Sequence, residues 1–405
     1  MRTRPQPALR IAVLSYTAIA RDHRVLRTLE TLAARGHEVT AIGFGEPPAL
    51  PIRMIRLPDP PGPAGQRLAI AATQFPANLV PASAAFLHLL LPHHAAARRA
   101  LLALRPDIVH ANDWQALVAA EAAKREAGSR IVYDSHELAS EEHADNWLWR
   151  LVAQRHTRAI EARYIGDADR VITVSEGIAT TLQQLYGLPT RPSVIRNAPA
   201  FQAVVPAPPG EPVRLLFHGI LKAGRGIEAL ICAMPLLPRH RLTLRGNGST
   251  HYLAKLQALV ARLGLGERIR FEPAVPHVQV VAAAAASHIG IFCASPATGQ
   301  NRFAMPNKVY EYLMAGLAPL VAAGTDLADL VTEHGCGLVA EAATPEAIAG
   351  ALGALAPETL AAMRARALAL GREFCWEQEQ NRLVAVYAGL EEEMGGQTGD
   401  LPGPR

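Results

Sequence analysis

At 405 residues the chain is long for one core and comfortable for two, and with 50% apolar and 19% charged residues it is neither disordered nor fibrous. Its 40 basic against 36 acidic residues leave a net charge of +4. That excess suits an anionic ligand or a loosely held membrane surface and falls short of a nucleic-acid footprint. Cys232, Cys293, Cys336 and Cys375 form no C-x-x-C pair, so they read as small apolar residues in a reducing compartment. The first ten residues hold no apolar signal core, and no run reaches the ~18 apolar residues of a membrane span. A soluble cytoplasmic protein is expected.

In chain order, Leu9–Ser15 reads as a buried parallel strand. Asp22 is placed to cap a helix through Val25, Leu26, Leu29 and Leu32 that stops at Gly36, and Glu38–Gly43 supplies the next strand. Between Pro58 and Leu102 the text turns proline-rich and then Ala/Leu-rich, with His88, His93 and His94. These histidines invite a metal reading, but without nearby carboxylate or cysteine partners they fit a solvated helix face better. The same stretch could form a lip that touches lipid or an apolar acceptor. The βαβ pattern then resumes with strands at Asp107–His110, Arg130–Tyr133 and Arg170–Val174 and helices at Ala116–Ala127 and Ile178–Tyr186. Phe201–Pro212 has four prolines and almost no periodicity, a linker signature. A second α/β series starts afresh at Val213. The expected organisation is a first domain over 1–200, a linker over 201–212, a second domain over 213–375, a returning helix over 376–390 and a flexible tail over 391–405. Two Rossmann-like domains with parallel sheets would face a cleft at the carboxyl ends of their strands.

Three stretches carry chemistry. In Met305–Leu320 a proline opens a helix, which leaves the amides of Asn307 and Lys308 free to seat a phosphate, and Glu311 lies one turn on, within reach of a ribose diol. The alternative is an ordinary helix with Glu311 solvated. Phe217–Gly226 runs from a strand into a Gly-punctuated turn, where Gly219 permits close backbone approach and Arg225 offers a planar fork to phosphate. Taken alone, that loop equally fits a surface turn. Val132–Leu138 delivers Asp134-Ser135-His136-Glu137 to a strand end, where His136 could donate to a phosphate or sugar oxygen, or simply cap the strand. Asn112 and Asp113 end a neighbouring strand at the same edge and are candidates for acceptor binding.

Together these stretches resemble the retaining glycosyltransferases of the large family numbered four, which have the GT-B fold, in the branch reading Pro-Asn-Lys-x-x-Glu-Tyr. The resemblance runs from about residue 9 to 390 and is densest in the second half. It implies donor contacts at Gly219, Arg225, Gly246 of Arg245–Gly248, Val275 of Phe271–Pro276, Pro306, Asn307, Lys308 and Glu311, with His136, Arg225 and Glu311 in catalytic roles. Two positions depart from the family: Phe303 stands where a first glutamate is common, and Ile220 where an arginine is common. The donor would be a UDP or GDP sugar, with no cofactor and no metal. The acceptor would be a glycan, a lipid-linked molecule or a small molecule, with room for peripheral contact at the inner face of the cell membrane, and with no nucleic acid. The rivals are a sugar-nucleotide epimerase of similar build and an inactive nucleotide-sugar-binding subunit.

Overall fold

The computed structural model describes residues 8–142, 146–297, 299–353 and 355–397. They form two units, Met1–Ile195 with Gln380–Arg405, and Arg196–Glu379.

The first unit opens with β1 (Arg10–Ala18), whose middle is buried on both faces, as a helix-covered parallel strand must be. α1 (His23–Ala34) starts where Asp22 accepts the Arg24 and Val25 amides at 3.1 and 3.2 Å, the cap expected from its position. β2 (Glu38–Phe44) and β3 (Arg53–Arg56) build one side of the sheet. Then come α2 (Pro63–Leu79), α3 (Ala84–Leu89), α4 (Pro92–Leu104), β4 (Ile108–Asn112), α5 (Leu117–Ala127) and β5 (Arg130–Ser135). α6 (Trp147–Val152), α7 (Gln154–Tyr164), β6 (Arg170–Thr173), α8 (Glu176–Tyr186) and β7 (Ser193–Val194) complete the series. Ser175 caps α8, accepting from the Ile178 amide at 3.2 Å. All pairings are parallel, in the order β3-β2-β1-β4-β5-β6-β7, so the winding reverses between β1 and β4.

The histidines of α3 and α4 correct the sequence reading. His88 and His94 are buried and stacked with ring centroids 3.6 Å apart, and Tyr16 packs edge-on to His94 at 4.4 Å. Burial holds His88 neutral, its pKa lowered to about 3, so these rings act as apolar plates rather than as a solvated face. Among the described residues no group of three His, Cys, Asp or Glu is arranged to hold a metal ion, and no helix is long and apolar enough to cross a membrane.

The second unit begins without regular structure. Its prolines do not run free: Ala207 donates to Ala285 at 2.8 Å and accepts from Arg364 at 2.7 Å, which straps residues 196–212 onto this unit. The elements then follow as β8 (Val213–His218), α9 (Ile227–Ala233), β9 (His240–Arg245), α10 (Thr250–Arg262), β10 (Ile269–Glu272), α11 (Val280–Ala284), β11 (Ile289–Phe292), α12 (Gly299–Phe303) and α13 (Asn307–Met314). β12 (Ala318–Ala322), α14 (Asp326–His334), β13 (Leu338–Ala340), α15 (Pro345–Gly353), α16 (Pro357–Glu373) and α17 (Trp376–Gln397) close the chain. The parallel order is β10-β9-β8-β11-β12-β13, reversing between β8 and β11. α17 starts within the second unit and continues into the first, where Tyr387 and Leu390 are fully buried. It runs past residue 390, where the sequence placed a tail, through Gln397; residues 398–405 of that expected tail lie outside the described residues.

Candidate functional site

The reversal between β8 and β11 is where an open parallel sheet leaves a crevice at its carboxyl edge. There the loops after β8 and β9 close on each other through backbone, with Gly219 donating to the Arg245 carbonyl at 3.0 Å and Leu221 to that of Asn247 at 2.8 Å. Gly246 adopts φ 145°, and a Cβ on it would lie 1.9 Å from the Gly219 oxygen. Gly226, at φ 76°, would drive a Cβ to 2.1 Å from the Cys293 oxygen beyond β11. Only glycine permits these approaches, so the two loops are locked against the strand ends around them. Val275 lies half-buried in the loop after β10, at the same edge.

Pro306 stands one step outside α13 as its N-cap residue, with extended backbone (φ −71°, ψ 144°), rather than inside the first turn. The consequence for the first amides is unchanged: those of Asn307 and Lys308 have no intrahelical acceptor. The Lys308 ammonium lies 4.0 Å from the centre of the Phe217 ring and 5.2 Å from that of Phe292, close to Gly219. The Arg225 guanidinium sits over the same Phe292 ring at 5.7 Å. Burial, with Arg225 and Lys222 as like charges, outweighs the attraction of Glu311 and lowers the Lys308 ammonium to about 7. Three cations thus gather beside two sets of glycine backbone, an arrangement with the chemistry to seat an anion.

Glu311 is buried rather than solvated. Its carboxylate is buried and faces the His218 Nε2 at 2.9 Å, and the His218 ring stacks on Tyr312 at 4.6 Å. The Tyr312 hydroxyl in turn accepts the His218 amide at 3.2 Å. His218 was not singled out from the sequence. Its signal was there: an ionisable residue at the last position of a strand, immediately before the loop glycine.

The first unit gathers a second group at the end of β5. The Asp134 carboxylate is buried and takes a bidentate pair from Arg24 at 2.7 and 2.8 Å, with His110 Nε2 at 3.3 Å and His136 Nε2 at 3.4 Å. Burial alone would raise this carboxyl, but Arg24, His136 and His110 hold it well below the ordinary range. Burial likewise disfavours charge on His136, yet Asp113 (3.4 Å from its Nδ1) and Asp134 prevail and raise it to about 9. His136 is thus held towards its charged form, with Asp113 on one side of the ring and Asp134 on the other and no hydrogen bond from its Nε2 among the described residues. Asp113 holds φ 60°, a strained conformation for a non-glycine residue, and accepts the His136 amide at 3.2 Å. Asn112 ends β4 opposite Asp134, at the same edge, but its side-chain amide is turned inward and donates to the Leu14 carbonyl at 3.0 Å. Ser135 donates to the Glu137 carbonyl and forms no dyad with His136. Arg24, His110 and Tyr387 (whose hydroxyl meets His110 Nδ1 at 2.8 Å) are the members that sequence reasoning did not assign.

Residues 23–198 match the family described as Glycosyltransferase Family 4, and residues 212–357 match the one described as Glycosyl transferases group 1. The glycogen synthase of Mycobacterium tuberculosis is 29% identical over 153 residues, 36% of this chain and 36% of that one, so the match spans about a third of that relative's length. The D-inositol 3-phosphate glycosyltransferase 1 of Catenulispora acidiphila is 26% identical over 309 residues, 69% of this chain and 72% of its own. Among solved structures, the Anabaena protein Alr3699/HepE in complex with UDP-glucose superposes with a TM-score of 0.69 at 18% identity, covering 94% of this chain and all of that one. At that identity the likeness is one of fold.

Proposed function

Because the chain belongs to the group 1 glycosyltransferases of family 4 and has their GT-B fold, we propose that it is a retaining enzyme that takes its sugar from a nucleoside diphosphate, UDP or GDP, without a metal ion or other cofactor. The convergence of Arg225, Lys222 and Lys308 on the glycine loops at the end of β8 carries this reading. Those cations and the first amides of α13 would hold the diphosphate, and Lys308 stands in for the arginine that Ile220 replaces. Such groups stabilise the charge that develops on the leaving diphosphate, usually the largest contribution to this kind of catalysis. Attack comes from the face the leaving group departs, and the diphosphate accepts the acceptor's proton. Glu311, which faces His218, takes the ribose diol. To His136 we assign donation to a substrate oxygen, for which its raised pKa suits it. The UDP-glucose carried by the Anabaena protein of the same fold supports a sugar nucleotide of this class. The acceptor is a glycan, a lipid-linked molecule or a small molecule, and the enzyme works on the cytoplasmic side.

Thermal shifts with UDP, GDP, ADP, their sugar conjugates and NAD test the donor site directly. One nucleoside diphosphate should raise the melting temperature, and Glu311→Ala should abolish that shift and lower turnover by roughly tenfold, the scale of one lost hydrogen bond to a charged group. A response to NAD alone would sink the reading. Activity should also survive EDTA; a loss restored by Mg²⁺ or Mn²⁺ would assign the leaving-group charge to a metal instead of to Arg225 and Lys308.

A further inference from the structure

The last residues of three neighbouring strands of the second unit stand in one row. β8 ends at His218, β9 at Arg245 and β10 at Glu272. In the parallel register His218 is paired with Arg245, and Arg245 with Glu272, so the three side chains leave the same face of the sheet. The residues just before them, Phe217, Leu244 and Phe271, point the other way into the main core of the unit. The face with the row is the one that carries α13, for the His218 ring stacks on Tyr312 and its Nε2 faces Glu311. Neighbouring strands lie about 4.8 Å apart, which puts Glu272 roughly 10 Å along the edge from His218.

A nucleoside diphosphate has a direction along that row. Its phosphates belong beside Arg225 and Lys308, whose charges gather over Phe217 and over Phe292 at the end of β11. With the ribose at Glu311, the base then extends away from β11, past Arg245 towards Glu272. On the opposite side the ends of β11 and β12 offer Cys293, Ala294 and Ala322, which are buried and bring no side chain able to read a base.

Glu272 is held in a fixed orientation with accepting capacity to spare. Arg245 Nε and Nη2 both donate to one oxygen, Oε2, at 3.0 and 2.8 Å, while no hydrogen bond reaches Oε1 among the described residues. The arginine side chain is only 12% exposed and the carboxylate 38%, so the anchor lies inside and the acceptor faces out. An ionised carboxylate only accepts, and it is best matched by two donors side by side. Guanine presents its N1–H next to its N2 amine on one edge. Uracil has a single N3–H flanked by two carbonyl oxygens, whose lone pairs would face the carboxylate. Adenine and cytosine set a ring-nitrogen acceptor beside their one amine.

We propose that Glu272 reads the base and selects guanine, which makes the donor a GDP sugar, and that Arg245 is the positioning residue that orients it. This inference rests on the nucleotide-sugar reading of the same site and sharpens it.

Titration calorimetry of the full-length protein with GDP, IDP, UDP and ADP tests it. IDP keeps O6 and N1–H and lacks only the N2 amine, so it should bind roughly tenfold more weakly than GDP, the scale of one hydrogen bond to a charged group. UDP and ADP should bind more weakly still. Glu272→Gln should lower the affinity for GDP to that for IDP and leave the affinity for UDP unchanged. Arg245→Gln should shrink the GDP-to-IDP ratio and Arg245→Lys restore part of it, whereas a role in stability alone would lower the melting temperature and leave the ratio as it is. The native protein by itself reports GDP against IDP and UDP, so the test stands even where a variant fails to fold. Equal affinities for GDP and IDP, or a preference for UDP or ADP, would overturn the assignment of Glu272 and leave the donor site in place. Binding of none of the four would remove both.

Discussion

Lys308→Met is expected to lower turnover by about 10²–10³-fold, the scale of removing one preorganised donor from a developing anion. The native ammonium is held near pKa 7 by burial and by Arg225 and Lys222, so near neutral pH it can lose that charge in the free protein. A bound diphosphate favours the charged form, so donor binding should draw in a proton. Affinity for a nucleotide sugar, whose own diphosphate has no proton to titrate in this range, should be full below pH 7 and fall as pH rises above it. The sign for folding is opposite. The unfolded chain holds this proton up to its ordinary value of 10.5, so the free protein gains stability as pH rises from about 7 towards 10.5. Calorimetry in buffers of different ionisation enthalpy reads the proton uptake, and Lys308→Arg, charged throughout, should flatten the pH dependence of affinity. A pH-independent affinity in the native protein would remove Lys308 from the diphosphate.

Arg24→Met should be the most destabilising single change in the first unit, costing about 3–5 kcal/mol, because it leaves the buried Asp134 carboxylate without its bidentate partner. Arg24 also donates to the Ile195 carbonyl at 2.8 Å, so the change opens a second buried acceptor. Scanning calorimetry should show one transition falling by roughly 10 °C, at about 2–4 °C per kcal/mol for a unit of this size. A fall under about 2 °C would mean that His110 and His136 neutralise Asp134 without help.

The parts of this molecule legible from sequence are those written in local rules. Alternating apolar strands and helices pointed to the two parallel sheets, Asp22 marked the start of its helix, and the loop around Gly219 could be placed because its glycines sit where strands end. What was hidden depends on partners far along the chain. Arg24 meets Asp134 across 110 positions, and His110 meets Tyr387 across 277. No spacing rule links such residues. His88 and His94 misled for a different reason: polarity was read as exposure, whereas burial strips the charge from the rings and lets them stack on each other and on Tyr16. Glu311 was placed on its helix, but His218 faces its carboxylate from another strand, a pairing that helical period alone could not reveal.

The path of α17 bears on how this protein is made. The first unit is not a continuous stretch of chain, for its sheet is complete at Ile195 while Tyr387, which engages His110, and Glu391, which lies 3.2 Å from His37, come at the far end. At about 5–20 residues per second a ribosome needs roughly 10–40 s to bridge that interval. During that time the nascent first unit lacks Tyr387 and Glu391, the partners that α17 brings to His110 and His37. Its fold is therefore finished only by residues synthesised after the whole of the second unit.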